Sequence, residues 1–405
     1  MNTSFKYRIY PTKAVEKKLF FVLNRCRELY NAALSERRDA YKYARKSVTY
    51  NQQQNDLPEI KHEIRPEYEE IAAHVLQDVL KRLDKAFAAF FRRIKEGQTP
   101  GYPRFQGRNR YDSFTYPDIA GWKLPERDIP QGKKTRNVKL SLSKIGNITL
   151  RLHRPLEGTI KTVTIKREVD QWFVCFSCGV AEPEKLPVSY EDVGIDLGVS
   201  HLATLSNGEM IEHPRSYRKA QKTLERRQQA LSRKKHGSHR RDRARKLVGR
   251  AHRKVRNQRQ DYHHKESRNL VHRYQLIVFE DIQTCNLVRK PKPKQDETTG
   301  QYLPNGAAAK GGLNKSILDA GWGSFVGLCS YKAACAGRTL IKVDPKYTSQ
   351  ICSQCGTVRK KTLDERWHRC DCGAELDRDV NAAVNILVRG KQQLLAWNVP
   401  TSATA

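Results

Sequence analysis

Negative charge is scarce in this chain. Its 405 residues hold 43 Asp+Glu against 76 Lys+Arg, a formal net charge of +33. A compact protein does not easily carry such an excess without a polyanionic partner, and nucleic acid is the partner that fits. A ribosomal or chaperone-like basic protein is the plain alternative, but such proteins are usually shorter and need no carboxylate cluster. Long apolar runs are missing as well. No stretch approaches the ~18 residues of a membrane helix, and the opening MNTSFKYRIYPTK has no apolar core of a signal peptide. The expectation is a soluble, intracellular protein. No repeat of solenoid length occurs. Six of the ten cysteines, Cys26, Cys175, Cys178, Cys285, Cys329 and Cys335, are scattered in mostly apolar contexts, which suits a reducing compartment and not a disulfide framework.

The few acids that stand out lie far apart. Asp196 falls in VGIDLGVSHLATL, Glu280 ends the apolar run LIVFE, and Asp379 opens DVNAAVNIL within LDRDVNAAVNIL. The first two segments read as buried strands and the third as a helix start, so a sheet can gather all three. Cleavage of a phosphodiester by two metals needs ions ~3.5 to 4 Å apart, bridged by shared carboxylates, and this trio suits Mg²⁺ in that role. Gly194 and Gly198 would let a nucleic-acid backbone approach the strand closely. Taken alone, Asp379 can also be a helix N-cap. Asp281 and Asp377 are second choices: strand alternation points Asp281 away from Glu280, and Asp377 lies outside the first helical turn. GIDLG also resembles the phosphate loop of actin-like ATPases, but no second Asp-Gly loop or Gly-rich adenosine segment follows.

The other four cysteines are packed into 21 residues. Cys352-Ser-Gln-Cys355-Gly has the spacing of a zinc knuckle, whereas Cys370-Asp-Cys372 has one intervening residue instead of two. His368 could replace Cys370 as the fourth ligand. Four protein ligands leave no open position, so the Zn²⁺ would be structural.

Periodicity organises the remainder. Residues 3 to 10 alternate as a strand, and Thr12 can cap a helix bearing Val15, Leu19, Val22, Cys26 and Leu29. A second helix is expected over 67 to 95, through Ile71, Val75, Val79, Leu83, Phe87, Phe90 and Ile94. Residues 99 to 114 keep no period. There Tyr102, Arg104, Phe105, Arg108 and Arg110 offer rings for base stacking between phosphate-binding cations, or rings that merely anchor the loop. From 138 to 180 the period is two, as in an antiparallel barrel. Residues 217 to 265 hold nineteen Lys/Arg and three acids on two helices joined near KKHGSH. That density points to phosphate contact, with Arg240, Arg241, Arg245 and Lys246 as candidates. Residues 289 to 312 read as a mobile loop.

These segments, in order, resemble the TnpB family, transposon-encoded RNA-guided DNA endonucleases related to type V CRISPR effectors. The resemblance runs through YRIYPTKAVEKKLF, LNRCRELYNAAL, DKAFAAFFRR, GYPRFQGRNRYDSFTYP, LERRQQALSRKKHGS, VRNQRQDYHHKESRNLV, LNKSILDAGWGSF, TSQICSQCG and LDRDVNAAVNIL. It implies a multidomain α/β plus β protein: a RuvC-type RNase H-like nuclease domain with a zinc-binding insertion, and an OB-like β-barrel wedge domain interrupted by a helical recognition lobe. The implied boundaries are a first wedge strand 1-10, lobe 11-98, wedge 99-188, nuclease 189-345 and 376-395, insertion 346-375 and tail 396-405. The family's catalytic acids fall on Asp196, Glu280 and Asp379. Its zinc ligands fall on Cys352, Cys355 and Cys372, while the usual fourth position holds Arg369 and Cys370 stands where Pro is common.

The implied function is cleavage of double-stranded DNA complementary to a guide RNA from the transposon end, beside a short adjacent motif, by two-metal hydrolysis. Base pairing would read the sequence and protein the adjacent motif, with Gln77 and Thr115 as candidate readers. The implied setting is a prokaryotic cytoplasm, nucleoid-associated on DNA, with no membrane and no small-molecule substrate. A guide-dependent regulator without cleavage and a guide-independent transposase or resolvase are the alternatives.

Overall fold

The structure is a computed structural model that describes residues 1–108, 110–129, 133–362 and 365–398. The chain divides into two compact units, Met1–Glu182 and Pro183–Ala405.

The first unit is built on a seven-stranded antiparallel sheet in the order β2-β6-β7-β1-β5-β4-β3. Its strands are β1 (Asn2–Tyr10), β2 (Ser113–Tyr116), β3 (Trp122–Lys123), β4 (Arg136–Leu142), β5 (Gly146–Leu152), β6 (Thr159–Glu168) and β7 (Gln171–Gly179). Alternation along β1 buries Phe5, Tyr7 and Ile9, and the same period in β4 and β5 buries Val138, Leu140, Leu142, Ile148, Leu150 and Leu152. One face of a nearly closed sheet thus forms the core. Between β1 and β2 lie the helices α1 (Lys13–Ala44), α2 (Tyr50–Asn55), α3 (Leu57–Glu59) and α4 (Ala73–Lys95). The Thr12 hydroxyl accepts from the Val15 N–H and caps α1 as the sequence predicts. The second long helix starts later than its pattern suggests. Pro66–Glu70 is a single 3₁₀ turn and Ile71 is extended, so Ile71 is buried from a loop and not from the helix. The apolar pattern also outruns burial at the other end, where Phe91 and Ile94 are exposed.

The second unit has a five-stranded mixed sheet in the order β10-β9-β8-β11-β14. The strands β8 (Asp192–Asp196), β9 (His201–Leu205) and β10 (Met210–Glu212) pair antiparallel in succession, while β11 (Leu276–Glu280) runs parallel to both β8 and β14 (Thr339–Val343). Parallel neighbours need long crossovers. The first is the pair of basic helices, α5 (Ser216–Ser232) and α6 (His239–Arg273), joined at residues 233–238 as expected. The second passes through α7 (Thr284–Leu287), α8 (Ala307–Ala320) and α9 (Trp322–Ala336). The stretch 289–312 is therefore not structureless: it holds a short ribbon, β12 (Lys294–Gln295) and β13 (Tyr302–Leu303), and the start of α8. Beyond β14 the cysteine segment carries β15 (Trp367–Arg369) and β16 (Glu375–Asp377), and α10 (Arg378–Asn398) follows directly. Among the described residues no helix is long and apolar enough to cross a membrane.

Candidate active site and cysteine module

The sheet register determines where the first two acids meet. Phe279 of β11 is level with Ile195 of the parallel β8, which places Glu280 beside Asp196 at the carboxyl ends of the two strands. Side chains alternate along a strand, so Asp196 shares a face with Gly194, and Glu280 shares one with Val278. A Cβ at Gly194 would collide with the Ala383 carbonyl and the Leu387 backbone of α10, and one at Gly390 of α10 would collide with Val278. Both strand faces therefore carry α10. Asp379 lies one turn before Ala383 on the same side of that helix, so it is delivered to the same place. Gly194 serves helix packing and not, as the sequence reading had it, the approach of a nucleic-acid backbone.

The three carboxylates interact electrostatically. Burial first, then the charges of Glu280 and Asp379, push the Asp196 carboxyl well above its ordinary pKa. Glu280 is raised too, chiefly by burial, although the hydrogen bond from Thr348 and the charge of Arg389 oppose the shift. Such a cluster is short of positive charge and suits divalent cations. Arg378 supplies part of the compensation, with Nε 3.2 Å from Asp379 Oδ1. The N-cap question is resolved by Asp377, whose Oδ1 accepts from the backbone N–H groups of Asp379 at 2.8 Å and Val380 at 3.2 Å. Asp379 is thus free of capping. Asp281 is exposed and lies 3.7 Å from Lys342 Nζ.

Around this cluster lie polar residues that the sequence reading passed over. The Thr348 hydroxyl is 2.5 Å from Glu280 Oε1. Asn381 and Asn385, buried on α10, bond the backbone of the segment that follows β14. Their i, i+4 spacing in an otherwise apolar helical run was a readable signal of a buried polar face. Nothing near Thr348 in sequence could have found it, because its partner lies on β11.

The four cysteine sulfurs lie within 4.8 Å of one another. Cys352 is 3.7 Å from Cys372, and Cys355 is 3.6 Å from Cys370. The short spacing is absorbed by a tight turn from Cys370 to Ala374 next to the β15–β16 pairing. His368 points elsewhere: it is buried, its Nδ1 meets Lys361 Nζ, and burial holds it below the usual histidine range. The Thr357 hydroxyl and backbone N–H, then the neighbouring thiols, pull the Cys355 thiol down to about 6. Zinc requires the thiolate form, toward which Cys355 is shifted, whereas Cys372 in the same cluster is shifted the other way.

The nucleic-acid candidates separate into exposed and engaged groups. Arg240, Arg245 and Lys246 are exposed on α6, with Arg245 in a surface pair with Asp242. Arg241 instead donates to the carbonyls of Leu231 at 3.1 Å and Lys234 at 3.0 Å, closing the end of α5. Arg104, Arg108 and Arg110 are exposed. Tyr102 packs edge-on against Phe87 and Phe90, and the Arg38 guanidinium lies over the Phe105 ring, yet both rings remain 45% exposed. They anchor the loop and still present a face. Gln77 is half-buried on α4. Thr115 belongs to β2 and not to the loop. It is buried, and its hydroxyl lies 2.5 Å from Arg82 Nη2 and 2.8 Å from Thr164 Oγ1.

A family model described as "Probable transposase" matches residues 175–290, and one for the TNB domain of Cas12f1-like proteins matches 322–386. A third, described as a helix-turn-helix domain, matches 1–46, where this chain has one strand and a single long helix. A Streptomyces pristinaespiralis protein named as an RNA-guided DNA endonuclease is 35% identical over 96% of this chain and 90% of its own length. InsQ of Escherichia coli K12, of the same designation, is 31% identical over 96% of this chain and 92% of its own. The chain belongs to the TnpB family of RNA-guided DNA endonucleases. Among solved structures, Cas12j (CasPhi-2) bound to crRNA covers 96% of this chain and 98% of its own at 9% identity and a TM-score of 0.48, too loose a superposition to argue from.

Proposed function

We propose that this chain, loaded with a guide RNA from its transposon end, cleaves complementary double-stranded DNA at Asp196, Glu280 and Asp379. The observation that carries the reading is the convergence of three carboxylates from two strand ends and one helix start, with Asp196 and Glu280 desolvated and raised in part by the charge of Asp379. When bound, two Mg²⁺ ions would generate the attacking hydroxide and stabilise the leaving oxygen. The chain's own part is to hold Asp196 and Glu280 rigidly on adjacent parallel strands and to bring Asp379 onto them through the close contact at Gly194. The mixed sheet with helices against it supports a RuvC-type RNase H-like domain over 189-345 and 376-395. The near-barrel sheet, with helices inserted between its first two strands, supports the wedge and recognition-lobe reading of 1-188.

The cysteine module would hold one structural Zn²⁺ on Cys352, Cys355, Cys370 and Cys372. Exposed Arg240, Arg245, Lys246 and the 102–110 loop would take phosphates and bases. Gln77 stays a candidate reader of the adjacent motif, while the occupied hydroxyl of Thr115 counts against that residue.

The test is cleavage by the guide complex of Asp196→Asn, Glu280→Gln and Asp379→Asn. Each variant is expected to bind target and fail to cut it. Full cutting by any one removes that residue from the site, and cutting by the wild type without RNA favours a guide-independent transposase.

A further inference from the structure

The residues around the cluster form a continuous buried hydrogen-bond chain that joins two parts the sequence keeps separate. Thr348 is 4% exposed, and its hydroxyl, 2.5 Å from Glu280 Oε1, donates to that carboxylate. Thr348 does not lie on a sheet strand. Its own carbonyl accepts from Asn385 Nδ2 at 2.9 Å. The same amide donates at 2.7 Å to the Ile351 carbonyl, which Asn381 Nδ2 also reaches at 2.7 Å. Asn381 Oδ1 in turn accepts from the Ser353 N–H at 3.0 Å. Ile351 and Ser353 flank Cys352, which is 1% exposed. Two buried asparagines on the helix that carries Asp379 therefore clamp the first cysteine knuckle and, through it, the threonine that touches Glu280.

We propose that Thr348 is a positioning residue for Glu280, held in place by the Asn381–Asn385 clamp, so that the cysteine module orients a nuclease carboxylate as well as closing its own turn. This rests on the reading of Glu280 as a metal-holding acid. A carboxylate at a strand end rotates freely about its last torsion unless a donor fixes it, and a buried O–H···O contact fixes both its direction and its charged form. Groups that orient metal-holding carboxylates typically change metal affinity or activity by about 10 to 100-fold when removed. A buried amide pair with every bond directed at backbone suits this task, because it fixes a loop without side-chain alternatives.

The experiment compares Thr348→Val, which keeps the shape and removes the hydroxyl, with Thr348→Ser, which keeps the hydroxyl, and with Glu280→Gln, each as the guide-loaded full chain. Cleavage rate is followed against Mg²⁺ concentration, Mn²⁺ affinity by electron paramagnetic resonance, target affinity by filter binding, and zinc by elemental analysis. Thr348→Val is expected to cut about 10 to 100-fold more slowly at limiting Mg²⁺ and to bind Mn²⁺ correspondingly weakly. Target affinity and zinc content should not change. Thr348→Ser should recover most of both losses. The proposal is overturned if valine leaves rate and Mn²⁺ affinity at the wild-type level. It is equally overturned if serine is as impaired as valine, or if the valine variant loses zinc or target affinity in step with its rate. A cutting Glu280→Gln would remove the metal-site reading and this inference together, whereas a dead Glu280→Gln beside an unaffected Thr348→Val overturns the inference alone.

Discussion

The second unit contains two clusters of side chains of the types that can hold metals, built in opposite ways. The carboxylates come from residues 196, 280 and 379 and meet only because a sheet and a helix are fully formed, with Asp196 and Glu280 desolvated beside the charge of Asp379. The cysteines come from one short segment, and Cys355 and Cys372 are exposed to solvent. Like charges forced together out of water oppose folding, so the acid cluster is carried by the packing around it. A thiolate cluster whose ligands have no preformed site in the unfolded chain does the reverse, since the energy of binding the ion is folding energy. One cluster uses the fold and the other, with zinc bound, would help to make it.

That contrast predicts effects of opposite sign from removing one ligand. Asp196→Asn should reduce cleavage by roughly 10⁴-fold, the scale on which residues acting as a unit fail together, and yet stabilise the metal-free protein. The sign follows from the raised carboxyl. A group whose folded pKa exceeds its unfolded value costs nothing below the ordinary carboxylate pKa. Stability is then lost as pH rises from that value through the raised one. Asparagine avoids that loss, so the gain should be absent at pH 3 and present at pH 8. Urea unfolding of both proteins in chelator tests this, and a variant less stable at pH 8 would break the comparison.

Cys352→Ser should act the other way, releasing zinc and destabilising the second unit by several kcal/mol. It should also loosen the segment that Asn381 and Asn385 hold. Cys370→Ser should release zinc as well, while His368→Ala should retain it, because the sulfurs converge without the imidazole. Elemental analysis of purified proteins decides; zinc lost only from the histidine variant would reinstate His368 as the ligand.

A smaller effect is expected at the seam between helix and sheet. Gly194→Ala would push α10 off β8 at a cost of about 1–3 kcal/mol and displace Asp379 from Asp196 without altering any acid. Cleavage should fall by about 10²-fold, as for a misplacement on the order of 1 Å, with target binding kept. Wild-type cutting by Gly194→Ala would show that Asp379 does not depend on this contact.

Strands with clean alternation, such as β1, β4 and β5, were legible in the sequence, and so was the buried run of β11. The acids were legible because each ends or begins such an element. Less visible was what depends on contacts between distant segments: the late start of α4, which lies after a buried Ile71 that is not helical, the ribbon and helix within 289–312, and the link from Thr348 to Glu280. Gly194 was misread for the same reason. A glycine in a strand signals a close approach, but only the fold tells that the approaching backbone is α10. Asp377 and Asp379 both suit a helix start, and which one caps depends on where β16 stops.

The smallest effect belongs to the basic helices, where composition suggested four equivalent phosphate-binding cations and the structure divides them. Arg240, Arg245 and Lys246 are exposed, and the pair of Arg245 with Asp242 is a solvated one that contributes little. Each such residue that contacts an RNA phosphate should reduce the slope of log affinity against log salt by ~0.7 to 0.9 when changed to Gln. The triple variant should therefore flatten guide binding by about 2 to 3 in slope, provided all three make contact. Arg241→Gln should leave the slope unchanged and instead lower the melting temperature, because that guanidinium is engaged by the Leu231 and Lys234 carbonyls at the end of α5. Filter binding of labelled guide RNA over a range of KCl separates the two cases. A slope that falls with Arg241 and not with the other three would mean that the α5–α6 hairpin reorganises on RNA, and that the exposed cations are only a solvated face.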